Sequence, residues 1–311
     1  MPPNNDSLVG RYVADRYRVL HKIGEGGMGD VYAAEDAQHS RLVALKVMRR
    51  DVDDPAAPQR FLREAQTLGR VRSRNVVRFY DFDRDLDLGV LFVAMELATG
   101  DDLSRLLHHG RLRPALVMRV LQQTASGLVA AHAEGVIHRD LKPSNLKLKP
   151  KRDHSVRVKI LDFGLVRDKH SSAVLTDMGR TPGTLTYMSP EVLQECDLDS
   201  RADLYSLGII AYEMLSGLPP FFGRTHAEVA AKHLREEAVP LGVLVPEELP
   251  ADLVELVEDL MVKERDDRIA AAEEVLARLT PMLARPANHF AVRHLGEGQD
   301  PFVDWALLPH L

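Results

Sequence analysis

The chain predicts an α+β fold in two parts, a small antiparallel β-sheet lobe carrying one helix and then a larger, mainly α-helical lobe. Three observations carry that expectation. Short apolar or β-branched runs broken by turn residues recur up to Gly100. Long helical periodicities follow them. The change of texture falls at Thr99-Gly100, and 311 residues are enough for two compact units or one large domain of two lobes.

Taken in order, residues 1–16 read as a flexible lead-in. Tyr17-Arg18-Val19-Leu20, Val31-Tyr32-Ala33-Ala34 and the run 42–47 read as strands, with a glycine cluster between the first two. Pro55 and Pro58 precede a helix in which Phe61, Leu62, Ala65 and Leu68 recur at helical spacing. Residues 76–80 and 90–95 read as two more strands. Residues 116–133, 204–215, 251–261 and 270–283 read as helices, the second apolar almost all round and therefore buried. The basic run 147–152 is expected at a solvated hairpin tip. The expected division is 1–16 lead-in, 17–99 small lobe, 100–284 large lobe and 285–311 tail.

Composition narrows the function. Lys plus Arg number 40 against 46 Asp plus Glu, for a net charge of −6, which argues against a general nucleic-acid binder. The lone Cys196 can form neither an internal disulfide nor a cysteine-based metal site. No apolar run approaches the roughly 18 residues of a spanning helix, and Met1–Ser7 lacks the basic-then-apolar order of a signal peptide. A cytoplasmic chain with no membrane span is expected.

Gly24-Glu25-Gly26-Gly27-Met28-Gly29 contains G-x-G-x-x-G. A dinucleotide fold would follow it with a helix and a Walker loop with Gly-Lys-Ser/Thr, and neither is present. A strand–loop–strand hairpin remains, and on the loop alone a phosphate cover and a plain turn fit equally well. Lys46, 17 positions after Gly29 on an apolar strand, is placed to reach phosphate oxygens, or is simply a surface lysine. Glu64 on the helix can orient it, or is solvated. Further on, His138-Arg139-Asp140-Leu141-Lys142-Pro143-Ser144-Asn145 and Asp162-Phe163-Gly164 bring two carboxylates and an amide, hard oxygen donors suited to Mg²⁺.

With these stretches the chain resembles the eukaryotic-type protein kinases, over roughly residues 17–283, and the fold expected is bilobal and protein-kinase-like. The resemblance implies that Gly24, Gly26 and Gly29 form the phosphate-covering loop, that Lys46 holds the α/β-phosphates and pairs with Glu64, and that Asp140 orients the substrate hydroxyl. It implies Asn145 and Asp162 as Mg²⁺ ligands, with Val31, Ala44, Met95 and Glu96 around the base and Asp102 near the ribose. His138, Arg139, Phe163, Gly164, Asp203 and Thr186 fall at family positions that brace or regulate the loop, Thr186 bonding Asp140 and Lys142. Glu191 of Ser189-Pro190-Glu191 is expected to pair with Arg268. Lys142 resembles the serine/threonine class, and the Ser-Pro-Glu ending resembles the bacterial serine/threonine kinases. The resemblance implies ATP and Mg²⁺, Ser/Thr protein substrates, and autophosphorylation between Gly164 and Gly183, where Ser171, Ser172, Thr176 and Thr181 are candidates and Thr176 and Thr181 are favoured. A homodimer for trans-autophosphorylation is compatible with it.

One position departs from the family. Lys147 stands where an apolar side chain usually faces the adenine ring. A partner-binding pseudokinase and a small-molecule kinase are the alternatives. Intact Lys46, Glu64, Asp140, Asn145 and Asp162 oppose the first; Lys142 and Ser189-Pro190-Glu191 oppose the second. The tail, with Trp305, lies outside the resemblance.

Overall fold

The structure is a computed structural model that describes residues 8–26, 29–48, 57–153, 155–163, 185–245 and 249–285. Gly164, Ser171, Ser172, Thr176, Thr181 and Trp305 lie outside the described residues. By backbone contacts the chain divides into a unit ending at Ala98 and a second beginning at Thr99.

The first unit is a six-stranded sheet in the order β1-β2-β3-β4-β6-β5. Its strands are β1 (Tyr12–Val13), β2 (Tyr17–Gly26), β3 (Gly29–Asp36), β4 (Arg41–Met48), β5 (Phe79–Asp85) and β6 (Val90–Glu96), with one helix, α1 (Ala57–Leu68), after β4. All the pairings are antiparallel. Alternation gives the sheet two different faces. Tyr32, Ala34, Val43, Leu45, Val47, Phe92 and Ala94 form one apolar cluster with Tyr17 and Val19. Gly24, Val31, Ala44, Lys46 and Met95 are cross-strand neighbours on the opposite face, because Gly24 pairs with Val31, Val31 with Lys46, and Ala44 with Met95.

Two expectations are corrected here. Residues 8–16 are not a loose lead-in: Leu8 and Val13 are buried in the sheet's core cluster, and Tyr12 and Val13 pair with Arg18 and Tyr17. A two-residue strand is too short to show a period. The strand expected at 76–80 begins only at Phe79 and runs to Asp85. Its acidic residues hid it, because they are used structurally. Asp81 accepts from Arg16 Nη1 at 2.8 Å and from the Tyr17 hydroxyl at 2.9 Å, and Asp85 accepts from the backbone of Ala14 and Leu88 at 2.7 and 2.8 Å.

Asp36 ties these pieces together. Fully buried at the end of β3, it accepts from Arg16 at 2.7 and 2.9 Å and from Arg41 Nε at 3.1 Å. Arg41 also lies over the Tyr80 ring, 3.6 Å from its centre.

The second unit begins with β7 (Asp101–Asp102), α2 (Leu103–Leu107) and α3 (Pro114–Ala133), followed by the hairpin β8 (Leu146–Pro150) and β9 (Val156–Ile160). Strands β7, β8 and β9 make a second antiparallel sheet. Gln123 on α3 clamps the hairpin, donating to the Val156 carbonyl at 2.8 Å and accepting from Val158 N at 3.0 Å. The basic run 147–152 is not a hairpin tip alone: residues 147–150 belong to β8, with Leu148 fully buried between Lys147 and Lys149. The helix Arg201–Ser216 is buried on nearly all sides, as its all-round apolarity required. Helices Ala251–Leu260 and Ala272–Leu283 follow it.

Beside that helix, His233 is fully buried, with Nδ1 2.9 Å from the Tyr205 hydroxyl. Burial, and then the charge of Lys263, push its pKa down to about 4.

Asp36→Asn should cost the first unit about 2 kcal/mol, because it removes the buried anion that accepts from two partly exposed arginines; urea melts followed by fluorescence measure this. Arg16 foremost holds the Asp36 carboxyl well below its ordinary 3.8, so this stabilisation is complete above that pH and lost as pH falls beneath it. For His233 the folded pKa lies below the unfolded one, so the unfolded state takes up the proton first and stability falls as pH drops from 6.5 towards about 4. Between pH 7.5 and 5.5 this one group should remove about 1 kcal/mol. His233→Gln should flatten that part of the profile, and an identical slope in parent and variant would refute the assignment.

Candidate functional site

On the first unit, the open face of the sheet carries the residues that the sequence singled out. Gly29 is demanded by the fold, since a Cβ there would meet the Val47 carbonyl oxygen at 2.3 Å. Gly24 is not: a Cβ would make only ordinary contact with Val31, at 3.7 Å. Lys46 is half-buried on β4, flanked by Val31 and Val93 on the neighbouring strands. Ala44 and Met95 are buried, and Glu64 is half-buried on α1. Glu96 ends β6, exchanging a 2.8 Å backbone bond with Arg78 and accepting from Arg78 N with its carboxylate at 3.2 Å.

On the second unit, residues 138–145 form a loop leading into β8, and buried Asp203 pins its start. Asp203 Oδ2 accepts from His138 N at 2.8 Å and Oδ1 from Arg139 N at 3.0 Å. His132, in the last turn of α3, adds its Nε2 at 2.8 Å. Burial alone would raise the Asp203 carboxyl, but the bond and charge of His132, with His138 behind it, bring it below the ordinary value. It is therefore an anion at neutral pH.

His138 is the next link. Its Nε2 donates to the Leu161 carbonyl at 2.7 Å, so Nδ1 is the acceptor that meets Asp140 N at 3.3 Å. Only the neutral ring can do both, and burial drives its pKa down. The ring also packs on Phe163, centres 4.6 Å apart.

Arg139 has φ +62° and Asp162 φ +45°, left-handed conformations that cost a side-chain-bearing residue about 1 kcal/mol or more and gather at functional sites.

At the loop's end, Asp140 and Lys142 face each other, Oδ2 to Nζ 3.0 Å, each side chain about one-fifth exposed. Asn145 donates Nδ2 to the Asp140 carbonyl at 2.8 Å, which leaves its Oδ1 as the acceptor for another group. Leu161 N bonds the Asn145 carbonyl at 2.8 Å, so Asp162 follows directly beside Asn145 at the open end of the β8–β9 hairpin. An amide oxygen and one carboxylate suit a hard cation that completes its shell with water and phosphate oxygens. No cluster of three His, Cys, Asp or Glu able to hold a metal occurs among the described residues.

Glu191 and Arg268 pair as expected, in a buried bidentate bridge of 2.7 and 3.1 Å, and Arg268 also serves the Val262, Lys263 and Arg201 carbonyls at 2.8–3.0 Å. Thr186 departs from expectation. It lies half-buried in the 3₁₀ turn Leu185–Tyr187, and no hydrogen bond joins it to Asp140 or Lys142 among the described residues. The turn is anchored on the buried helix instead, through Tyr187 OH to Glu213 at 2.7 Å and Ser206 Oγ to the Tyr187 carbonyl at 2.7 Å.

Two partners escaped the sequence reading. His132 and Gln123 both lie within the helical pattern 116–133, and nothing local announces that each reaches another segment.

Over residues 17–278 the sequence matches the protein kinase domain family. It is 39% identical over 283 residues to the serine/threonine-protein kinase pkn3 of Myxococcus xanthus, covering 89% of this chain and 52% of that protein. To the serine/threonine-protein kinase PknE of Mycobacterium tuberculosis it is 37% identical over 270 residues, 86% of this chain and 46% of that one. The chain thus spans about half the length of these relatives. The crystal structure of the Mycobacterium tuberculosis PknI kinase domain superimposes with a TM-score of 0.68 at 24% identity, over 88% of this chain and 98% of that one; this is a likeness of fold. No described helix is long and apolar enough to cross a membrane. Since the matched stretch runs through both units and the fold likeness agrees with it, the chain belongs to the protein kinase domain family.

Proposed function

We propose that the chain is an ATP-dependent protein serine/threonine kinase, its first unit the family's small lobe and its second the large one. The observation that carries the reading is the Asp140–Lys142 pair, 3.0 Å apart on a loop held rigid by Asp203. In such a pair the carboxylate orients a hydroxyl nucleophile, while the ammonium balances charge gathering on the phosphoryl group in flight. The named relatives, pkn3 and PknE, are serine/threonine-protein kinases, and that class is carried over on Lys142.

The remaining roles follow the family's logic. Gly24, Gly26 and Gly29 cover the phosphates, Lys46 oriented by Glu64 holds them, and Val31, Ala44, Met95 and Glu96 surround the base. Asn145 and Asp162 would hold Mg²⁺, which would supply positive charge to offset that of the phosphates. Transfer passes through a loose transition state, so positioning matters more than a strong base. The neutral, buried His138 fits that demand, because it fixes the Asp140 backbone without adding a charge of its own.

Activation is proposed to proceed by autophosphorylation at Thr176 or Thr181, in trans within a homodimer and in the cytoplasm. A phosphate of about −2 charge beside Arg139 would order that segment.

The decisive assay is radiolabelled ATP with a generic basic protein, with and without Mg²⁺, followed by phosphoamino-acid analysis. Phosphoserine or phosphothreonine should appear only with Mg²⁺. Label on a small molecule, or none, sinks the reading. Lys46→Met and Asp140→Asn should each lower turnover at least about 100-fold while leaving the melting profile nearly unchanged. Mass spectrometry after incubation with Mg²⁺-ATP should find phosphate between Gly164 and Gly183, and an unmodified segment would remove the proposed activation step.

A further inference from the structure

We propose that Lys147 sets the sugar preference of the nucleotide site by engaging Asp102, so that this chain distinguishes ATP only weakly from 2′-deoxyATP. The inference rests on the nucleotide-site reading above.

The backbone is shaped to bring the two groups together. Asp102 on β7 stands directly opposite Lys147 on β8. Lys147 Nζ is 3.0 Å from Asp102 Oδ1 and 3.2 Å from the Gly100 carbonyl oxygen. Gly100 has φ +116°, and a Cβ there would lie 2.3 Å from the Leu148 carbonyl oxygen; only glycine lets β7 enter so close to β8 with its carbonyl turned to the lysine. Leu146 and Leu148 are fully buried on either side, so alternation fixes Lys147 on the other face of its strand.

Asp102 also forgoes its ordinary local partner. It holds the N-cap position of α2, where an aspartate commonly accepts from the first turn's N–H groups, yet its side chain makes no such bond. The carboxylate is spent on the lysine. Stability does not account for this choice: the side chains are 24% and 40% exposed, and ion pairs that open to water add little to folding.

The consequence lies in what a ribose would meet. A charged carboxylate with no cation on it accepts strongly from a sugar hydroxyl. With an ammonium already on Oδ1, part of that field is cancelled and a lone pair is taken, so a 2′-hydroxyl gains less. The lysine's four-carbon stem meanwhile supplies the apolar surface that the family places under the base.

Calorimetric titration of the purified chain with Mg²⁺-ATP and Mg²⁺-2′-deoxyATP tests this through the ratio of the two Kd values. The parent ratio should stay below about 3, and Lys147→Leu should raise it roughly tenfold by releasing Asp102. Lys147→Arg, which can keep the pair, should hold the low ratio, and Lys147→Leu combined with Asp102→Asn should return to it. A Lys147→Leu ratio equal to the parent's, or a high ratio that survives in the double variant, overturns the inference while nucleotide binding itself stands. Failure of the parent to bind either nucleotide would instead remove the site reading, and this inference with it.

Discussion

A single buried anion organises the second unit. Taking the Asp203 carboxylate out of water is costly unless its oxygens are bonded, and here three N–H groups bond them, from His132 and from the backbone of His138 and Arg139. Those bonds also offset the left-handed turn at Arg139, φ +62°, which a side-chain-bearing residue would not otherwise keep. Once the turn is held, the rest of the loop has little freedom. His138 closes onto Leu161 and Asp140, and Asn145 onto the Asp140 carbonyl. The position of Asp140 in the loop is thus set by bonds that its neighbours make. Such preorganisation costs nothing at the moment of reaction, which is why it serves charge stabilisation so well.

The first unit solves a different problem, that of building a sheet whose two faces differ. Tyr32, Leu45 and Phe92 fill the closed face. Gly24, Val31, Ala44 and Lys46 are cross-strand neighbours on the other face. A register slip of one residue would exchange the two sets. Asp36, Arg16 and Arg41 stand at the end of β3 and β4 where such a slip would begin. A buried pair is weak evidence of stability in itself, but it penalises any register that separates its members.

This division explains what the sequence made legible. Strands β2, β3, β4 and β6 could be read because each contains a short apolar or β-branched run set off by turn residues, and the helix Arg201–Ser216 because it is apolar on nearly every side. Residues 138–145 and 162 could be singled out because they match the family's motifs in type and spacing. What could not be read were elements whose polar residues face inward on purpose. Strand β5 is disguised by Asp81 and Asp85, both serving distant donors. Residues 8–16 are disguised by β1's brevity and by Arg16, which looks solvated and is not. His132 and Gln123 are legible only with their partners in view, 71 and 33–35 residues away.

Lys147 belongs to the same class but with a difference. Alternation along Leu146-Lys147-Leu148 says which face the lysine takes, and says nothing about where its charge ends. A lysine stem can reach in several directions, and the one adopted depends on Gly100, whose positive φ turns a carbonyl towards it. Two residues that look unrelated in the chain, an aspartate before a short helix and a lysine in a strand, become one electrostatic unit through a glycine that neither periodicity nor motif marks. Where a family position carries an unexpected charge, the informative question is therefore which backbone feature has been shaped to hold it. A charge held by glycine geometry and an antiparallel partner is part of the site's architecture, whereas a charge free to swing into solvent would be incidental to it.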